Sequence, residues 1–238
     1  MVAIEFIIDI TKKVFMPIRM HLLIILSLCF STFVRADVYI AQFNTDKLSD
    51  WESKSFVGET QYQIVDKDSQ KFLKAMSNNS ASGLAKKVTI DLLKTPYLNW
   101  TWQINNKLPG LDEQSKSGDD YAARIYVVID GGWKIWQTKA LNYVWSSNQI
   151  EGAIWDNAFA PNNAKMIAVN GRDAKTNTWI VEKQNVYLDL IAQYGDKGSD
   201  SDNQKAYRFI DALAIMTDTD NSQLQATAHY GDIYFSKE

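Results

Sequence analysis

The chain has 238 residues, with 25 basic and 28 acidic side chains, a net charge of −3, one cysteine and two histidines. Mild acidity without a basic stripe excludes nucleic acid as an expected partner. A single cysteine excludes a disulfide-stapled scaffold, and a chain of this length can bury one sizeable core without disulfides.

Residues 1–36 are predicted to be a signal peptide. Basic residues precede a short apolar run at 22–30, and Ala36 ends a segment with the small residues that a signal peptidase requires. The run is shorter than the ~20 residues of a membrane span. Met16 alone would begin a complete signal peptide, so it is a second candidate start. We expect cleavage after Ala36, no transmembrane span in the mature chain, and a periplasmic or secreted protein.

The mature chain is predicted to be one domain, residues 37–238, without Cys29 and with His229 as its single histidine. Removing residues 1–36 takes away four basic and two acidic residues, so the net charge becomes −5.

Alternation of apolar and polar residues with period two dominates this domain, which indicates half-buried strands. In YLNWTWQI (97–104), for example, Leu98, Trp100, Trp102 and Ile104 share one face. The predicted strands, in chain order, are 38–43, 61–65, 72–77, 83–92, 97–104, 121–130, 138–145, 166–170, 178–183, 209–218 and 227–235.

Only the segment after residue 185 has helical spacing. Asn185 is a suitable N-cap and Gly195 follows the last periodic residue, which predicts one short helix. The polar segment 196–204 after it is predicted to be a loop.

Many short strands, turns between them and one helix predict an all-β, jelly-roll-like sandwich of two antiparallel sheets. In such a fold the last strand commonly pairs near the first, which would bring 38–43 and 227–235 together.

The stretch SGDDYAARIYVVID (117–130) places two aspartates before a strand. If alternation extends back from Ile125, Asp119 points inward and needs a hydrogen-bonding or charged partner, so we predict a structural role for it. Asp120 and Arg124 share the outward face and lie roughly 13 Å apart at ~3.3 Å per residue, so they do not pair directly. These two are the predicted polar ligand contacts.

Asp218 and Asp220 lie in the loop TDTDNS (217–222), whose alternating oxygen ligands are suited to calcium. The same residue types also close hairpin turns by bonding their own backbone. No other cofactor is expected, and both interpretations of this loop stay open.

Tryptophans in or near loops are the predicted aromatic contacts of a ligand. Trp145 ends a strand and Trp155 lies in a loop, and a flat ring with a polar edge can stack on a sugar while Tyr143 donates a hydrogen bond. The alternative is that these rings close the end of a sandwich.

No catalytic residue is identified. A Ser-His-acid relay is not expected, because the single mature histidine, His229, lies inside an alternating strand and the sequence has no GxSxG elbow. Zinc sites built from His and Cys are excluded, because the mature chain has one histidine and no cysteine. A carboxylate pair or a tyrosine-based lyase stays open, because 26 acidic residues always offer some pair at a suitable distance.

The segments GDDYAAR (118–124), YVWS (143–146) and TDTDN (217–221) followed by YGDI (230–233) resemble, in the same order, the bacterial family called domain of unknown function 3047. The resemblance covers nearly the whole mature chain. It implies export from Gram-negative bacteria and a sandwich similar to carbohydrate-binding modules, and no activity. One departure is that Lys183 and Gln184 stand where the family suggests an arginine.

These observations predict an exported, non-catalytic glycan-binding domain of the bacterial envelope. Two alternatives stay open: a hydrolase or lyase that acts on polysaccharide, and a structural protein whose aromatic residues bind a protein partner.

Overall fold

A computed structural model describes residues 37–67, 69–134 and 137–238 of the chain. The predicted signal peptide lies outside the described residues. The strands are β1 Val38–Ala41, β2 Glu52–Val57, β3 Gln61–Lys67, β4 Gln70–Asn78, β5 Ala81–Asp91, β6 Tyr97–Ile104, β7 Arg124–Ile129, β8 Lys139–Trp145, β9 Ile154–Asp156, β10 Ala164–Asn170, β11 Ile180–Asn185, β12 Phe209–Asp218 and β13 Gln225–Ser236. The α-helices are α1 Val186–Tyr194 and α2 Asp200–Tyr207.

The strands form two sheets packed as a sandwich, which confirms the predicted all-β fold. The first sheet has the order β11-β6-β13-β4-β3, with β1 paired to the far part of β13. The second has the order β2-β5-β12-β7-β8-β10-β9. The expected pairing of the first and last strands is present, since Val38 lies opposite Phe235.

The second sheet is not purely antiparallel as predicted. Strands β8 and β10 run parallel, and the short strand β9 pairs antiparallel with β10 at its edge. A parallel pair needs a crossover connection, and residues 146–163 supply it here.

Two helices are present where one was predicted. Helix α1 begins after Asn185, whose Oδ1 accepts a hydrogen bond from the Leu188 amide (3.1 Å). Helix α2 occupies the predicted polar loop: Ser199 Oγ accepts from the Asp202 amide (3.1 Å), and Asp200 and Asp202 stabilise the first turn. No helix in the described part of the chain is long and apolar enough to cross a membrane.

The core lies between the sheets and is rich in aromatic rings. From the first sheet, Trp100 packs on Tyr143 of the second (ring centroids 5.5 Å apart), and Trp102 packs on Trp145 (6.0 Å). All four side chains are buried. These two pairs are contacts between the sheets within one continuous core.

The outer face of the second sheet is also partly apolar. It carries small side chains such as Ala212 and Ala214 beside Tyr126, Val128 and Met216, which form a separate buried cluster. Polar side chains at one end of this face therefore lie in a desolvated environment.

Candidate functional site

Five residues singled out in the sequence meet at one cleft on the outer face of the second sheet. We call it the acidic cleft; its charged side chains are Asp119, Asp120, Arg124, Asp218 and Asp220. Because β7 and β12 are antiparallel neighbours, the start of β7 lies beside the end of β12. The loops that precede β7 and follow β12 bring the other carboxylates to the same place.

A buried ion pair forms the floor of this cleft. Arg124 Nη2 donates to Asp218 Oδ2, and Arg124 Nη1 lies 3.6 Å from Asp119 Oδ1. The guanidinium packs against the Tyr121 and Tyr126 rings, at 4.9 and 5.2 Å from their centroids. Arg124 is 2% exposed, and its Nε and Nη1 have no hydrogen-bond acceptor within the described part of the chain.

Asp120 and Asp119 are both held by neighbouring loops. Asp120 accepts from the amides of Ser222 (2.6 Å) and Asn221 (3.3 Å), which fixes the turn after β12. Asp119 accepts two bonds from Asn157 Nδ2, at 3.1 and 3.2 Å.

The predicted inward direction of Asp119 is wrong. Strand β7 begins only at Arg124, so the alternation does not extend back to residue 119. Asp119 lines the acidic cleft, and Tyr121 packs with Trp155 and Met166 on the outer face. Asp120 and Arg124 do lie at one cleft, although they do not pair with each other.

Charge is poorly balanced in the acidic cleft, since one guanidinium faces four carboxyl groups. Burial raises the pKa of Asp218 well above its ordinary value, and Arg124 opposes this shift. Burial likewise raises the pKa of Asp119, and burial together with the nearby Asp120 raises that of Asp220. Oxygens of Asp120, Asp218 and Asp220 lie within 4.8 Å of one another, and the cavity beside them measures about 40 Å³.

Three predicted ligand contacts are corrected by their burial. Trp145 and Tyr143 are 0% exposed and belong to the core between the sheets. Trp155 is 7% exposed, packs near Tyr121, and donates from Nε1 to the Glu113 carbonyl (3.1 Å). The alternation of β8 sends residues 143 and 145 inward, so their rings stack on core partners instead of a ligand.

A second cleft, of about 320 Å³, lies on the outer face of the first sheet. We call it the aromatic cleft; it is lined by Asn44, Gln70, Lys71, Phe72, Thr101, Trp179, Gly231 and Asp232. Trp179 is 40% exposed. Its ring meets Phe72 edge to face with centroids 5.3 Å apart, and Phe72 meets His229 at 5.4 Å.

Backbone amides fix polar side chains at the rim of the aromatic cleft. Asp232 Oδ1 accepts from the Phe43 amide (3.0 Å), and Asn44 Oδ1 accepts from the Lys71 amide (3.0 Å). Burial raises the pKa of Asp232. The rim therefore offers preoriented hydrogen-bonding groups beside the exposed Trp179 ring and the half-buried Phe72.

Sequence reasoning missed Trp179 and Phe72, although a signal for them exists. Phe72 has the parity of Lys74, opposite to the buried Leu73 and Ala75 of β4. Trp179 has the parity of the exposed Val181. A large aromatic residue at a position with the parity of the polar, solvent-facing side of a strand indicates an exposed aromatic surface that can bind a ligand.

Fold and clefts together define a β-sandwich protein with a recessed site on each outer face. A family model, "Protein of unknown function (DUF3047)", matches residues 49–234, and the chain belongs to this family. No curated protein matches the sequence.

Several solved sandwich structures are similar in fold. The family 11 carbohydrate-binding module of cellulase Lic26A-Cel5E from Clostridium thermocellum has 10% identity and a TM-score of 0.44, over 84% of this chain and 94% of that one. The xyloglucanase domain of NopAA from Sinorhizobium fredii has 9% identity and a TM-score of 0.44, over 79% and 93%. At these identities the likeness concerns the fold, and these neighbours include both binding modules and an enzyme.

Proposed function

We propose that this protein is an exported bacterial envelope domain that binds a glycan in the aromatic cleft without cleaving it. The observation that carries the proposal is the exposed Trp179 beside Phe72, inside a cleft with a fixed polar rim. The C–H face of a sugar ring packs on an aromatic ring, while its hydroxyls need donors and acceptors around that contact.

Size and charge agree with a neutral sugar. A volume of about 320 Å³ lies within the ~300–1,000 Å³ range of small-molecule sites. Asn44, Gln70 and Thr101 supply uncharged polar groups, with Lys71 and Asp232 balancing each other at the rim.

The small number of carboxyl groups in the aromatic cleft favours binding over hydrolysis. Most glycosidases flank the scissile bond with two carboxyl groups. Among the described residues that line this cleft, Asp232 is the single acid. Its Oδ1 is already engaged by the Phe43 amide.

The test is a comparison of two tryptophan substitutions in affinity electrophoresis against a panel of soluble neutral polysaccharides. We expect retardation of the wild-type protein by at least one of them. Trp179→Ala should weaken that binding tenfold or more. Trp133→Ala is the matched control: Trp133 is 80% exposed but does not line the cleft, so its loss should change affinity less than twofold.

Two results would overturn the proposal. If no polysaccharide retards the folded wild-type protein, the alternative that the aromatic cleft binds a protein partner is favoured. Released oligosaccharide in the same incubations would favour the hydrolase or lyase alternative.

Export rests on the sequence and has its own test. N-terminal sequencing of the protein from the periplasm or medium of its host should give Asp37 as the first residue. An uncleaved chain retained in the cytoplasm would contradict it.

A further inference from the structure

We propose that the acidic cleft binds one hydrated Ca²⁺ ion through the carboxylates of Asp120, Asp218 and Asp220. This site lies on the opposite outer face from the aromatic cleft, and its occupancy does not depend on glycan binding.

Geometry supports a single shared ion. The three carboxylates offer oxygens within 4.8 Å of one another. Two ligands on opposite sides of a Ca²⁺ ion, each about 2.4 Å from it, are separated by the same span. Asp218 is fixed by Arg124 and Asp120 by the turn after β12, so two of the three ligands are held in place by other contacts.

Electrostatics favours a bound cation at this place. Four aspartates face one arginine, and three of the four are almost fully buried, with Asp220 at the half-buried rim. Ionised carboxylates in a desolvated site repel each other strongly unless a cation or protons compensate them. Arg124 compensates one charge, and a divalent ion would compensate two of the remaining three.

Arg124 independently indicates that the cleft holds further oxygen atoms. Its Nε and Nη1 are buried and lack acceptors among the described residues, although Nη1 lies near Asp119. Buried donors of a charged group are rarely left without an acceptor. The waters of a hydrated ion would supply oxygens here, and the cavity of about 40 Å³ beside the carboxylates has room for a few of them.

The experiment uses purified protein that has been treated with chelator to remove bound metal. Calcium is titrated into it in a calorimeter, and thermal unfolding is then measured with and without calcium. We expect one ion bound per chain. At a hundred times the dissociation constant, calcium should raise the unfolding midpoint by about 5–10 °C, and chelator should reverse this.

Two variants place the ion. Asp220→Asn changes the most exposed of the three ligands and should abolish or greatly reduce both the heat of binding and the thermal shift. Asp211→Asn is the control: Asp211 is a half-buried aspartate of the same strand β12, outside the cleft, and should leave both unchanged. Absence of calcium binding to folded wild-type protein overturns the proposal. A full calcium response in Asp220→Asn also overturns it, because the ion would then lie elsewhere.

Discussion

The burial of each predicted site residue determines whether its side chain can contact a ligand. Trp145 occupies a fully buried position against Trp102, and Tyr143 is fully buried against Trp100. Their residue types suit sugar binding, but their surroundings make them part of the core.

Replacement of Trp145 by alanine tests this core assignment. Removing a buried tryptophan leaves a cavity, so we expect Trp145→Ala to lower the free energy of unfolding by about 3–5 kcal/mol. Chemical denaturation measures this loss. Protein that remains folded should bind glycan as the wild type does. A fully stable variant that had lost binding would return Trp145 to the site.

Tyr143 is expected to show a pH-dependent stability effect through Asp189. Its hydroxyl donates to Asp189 Oδ2 (2.6 Å); burial raises the pKa of Asp189, and this bond lowers it. Without the bond, the pKa of Asp189 rises further in the folded state only. The folded variant then retains a proton that the unfolded chain loses above the ordinary value of 3.8, so its stability falls as the pH rises.

We therefore expect Tyr143→Phe to cost about 2 kcal/mol at pH 8 and clearly less at pH 4. Denaturation at both pH values measures the difference. An equal loss of unfolding free energy at the two pH values would show that the Tyr143 hydroxyl does not affect the pKa of Asp189.

At the level of the strands, the Thr101 side chain of β6 lies close to Gly231 of β13 in the aromatic cleft. The β6–β13 register shifts between Tyr230 and Ile233, and a Cβ added to Gly231 would lie 2.1 Å from Thr101 Oγ1. The other atoms nearest to that Cβ lie at 3.5 Å or beyond, which is ordinary contact.

A double-mutant cycle tests this contact. We expect Gly231→Ala to lower the free energy of unfolding by about 1–3 kcal/mol, because Thr101 or the strand must move. Adding Thr101→Ala removes the obstructing oxygen and should restore most of that loss. If the two costs simply add, the steric explanation fails.

Sequence patterns predicted most of these elements because burial on one face of a strand leaves a direct period-two signature. The core positions of β6 follow it throughout. Strand β2 escaped prediction because its exposed edge position gives ESKSFV little apolar alternation. Helix α2 was missed because DSDNQKAY buries only Asn203 and Tyr207, so capping by Ser199 marks it better than an apolar stripe does.

The candidate sites were less predictable than the fold. The sequence identified the acidic residues and Arg124, but their meeting depends on the β7–β12 pairing and on two loops. The aromatic cleft joins residues from distant segments, Phe72, Trp179 and Asp232. Such a juxtaposition follows from strand order, which local patterns do not specify.

In the whole molecule, the two outer faces carry different clefts around one shared core. The first sheet carries the aromatic cleft, and the second carries the smaller acidic cleft. The core tryptophans Trp100, Trp102 and Trp145 lie between them and should not sense a ligand directly.

The most direct test of glycan binding in the aromatic cleft is therefore the set of indole N–H signals in a ¹H–¹⁵N NMR titration with a polysaccharide fragment that binds. Assignment by single substitution identifies Trp179, Trp133 and the core tryptophans. We expect the Trp179 signal to shift in a saturable way while the signals of Trp133, Trp100, Trp102 and Trp145 stay in place. Saturable shifts elsewhere with an unmoved Trp179 signal would contradict it.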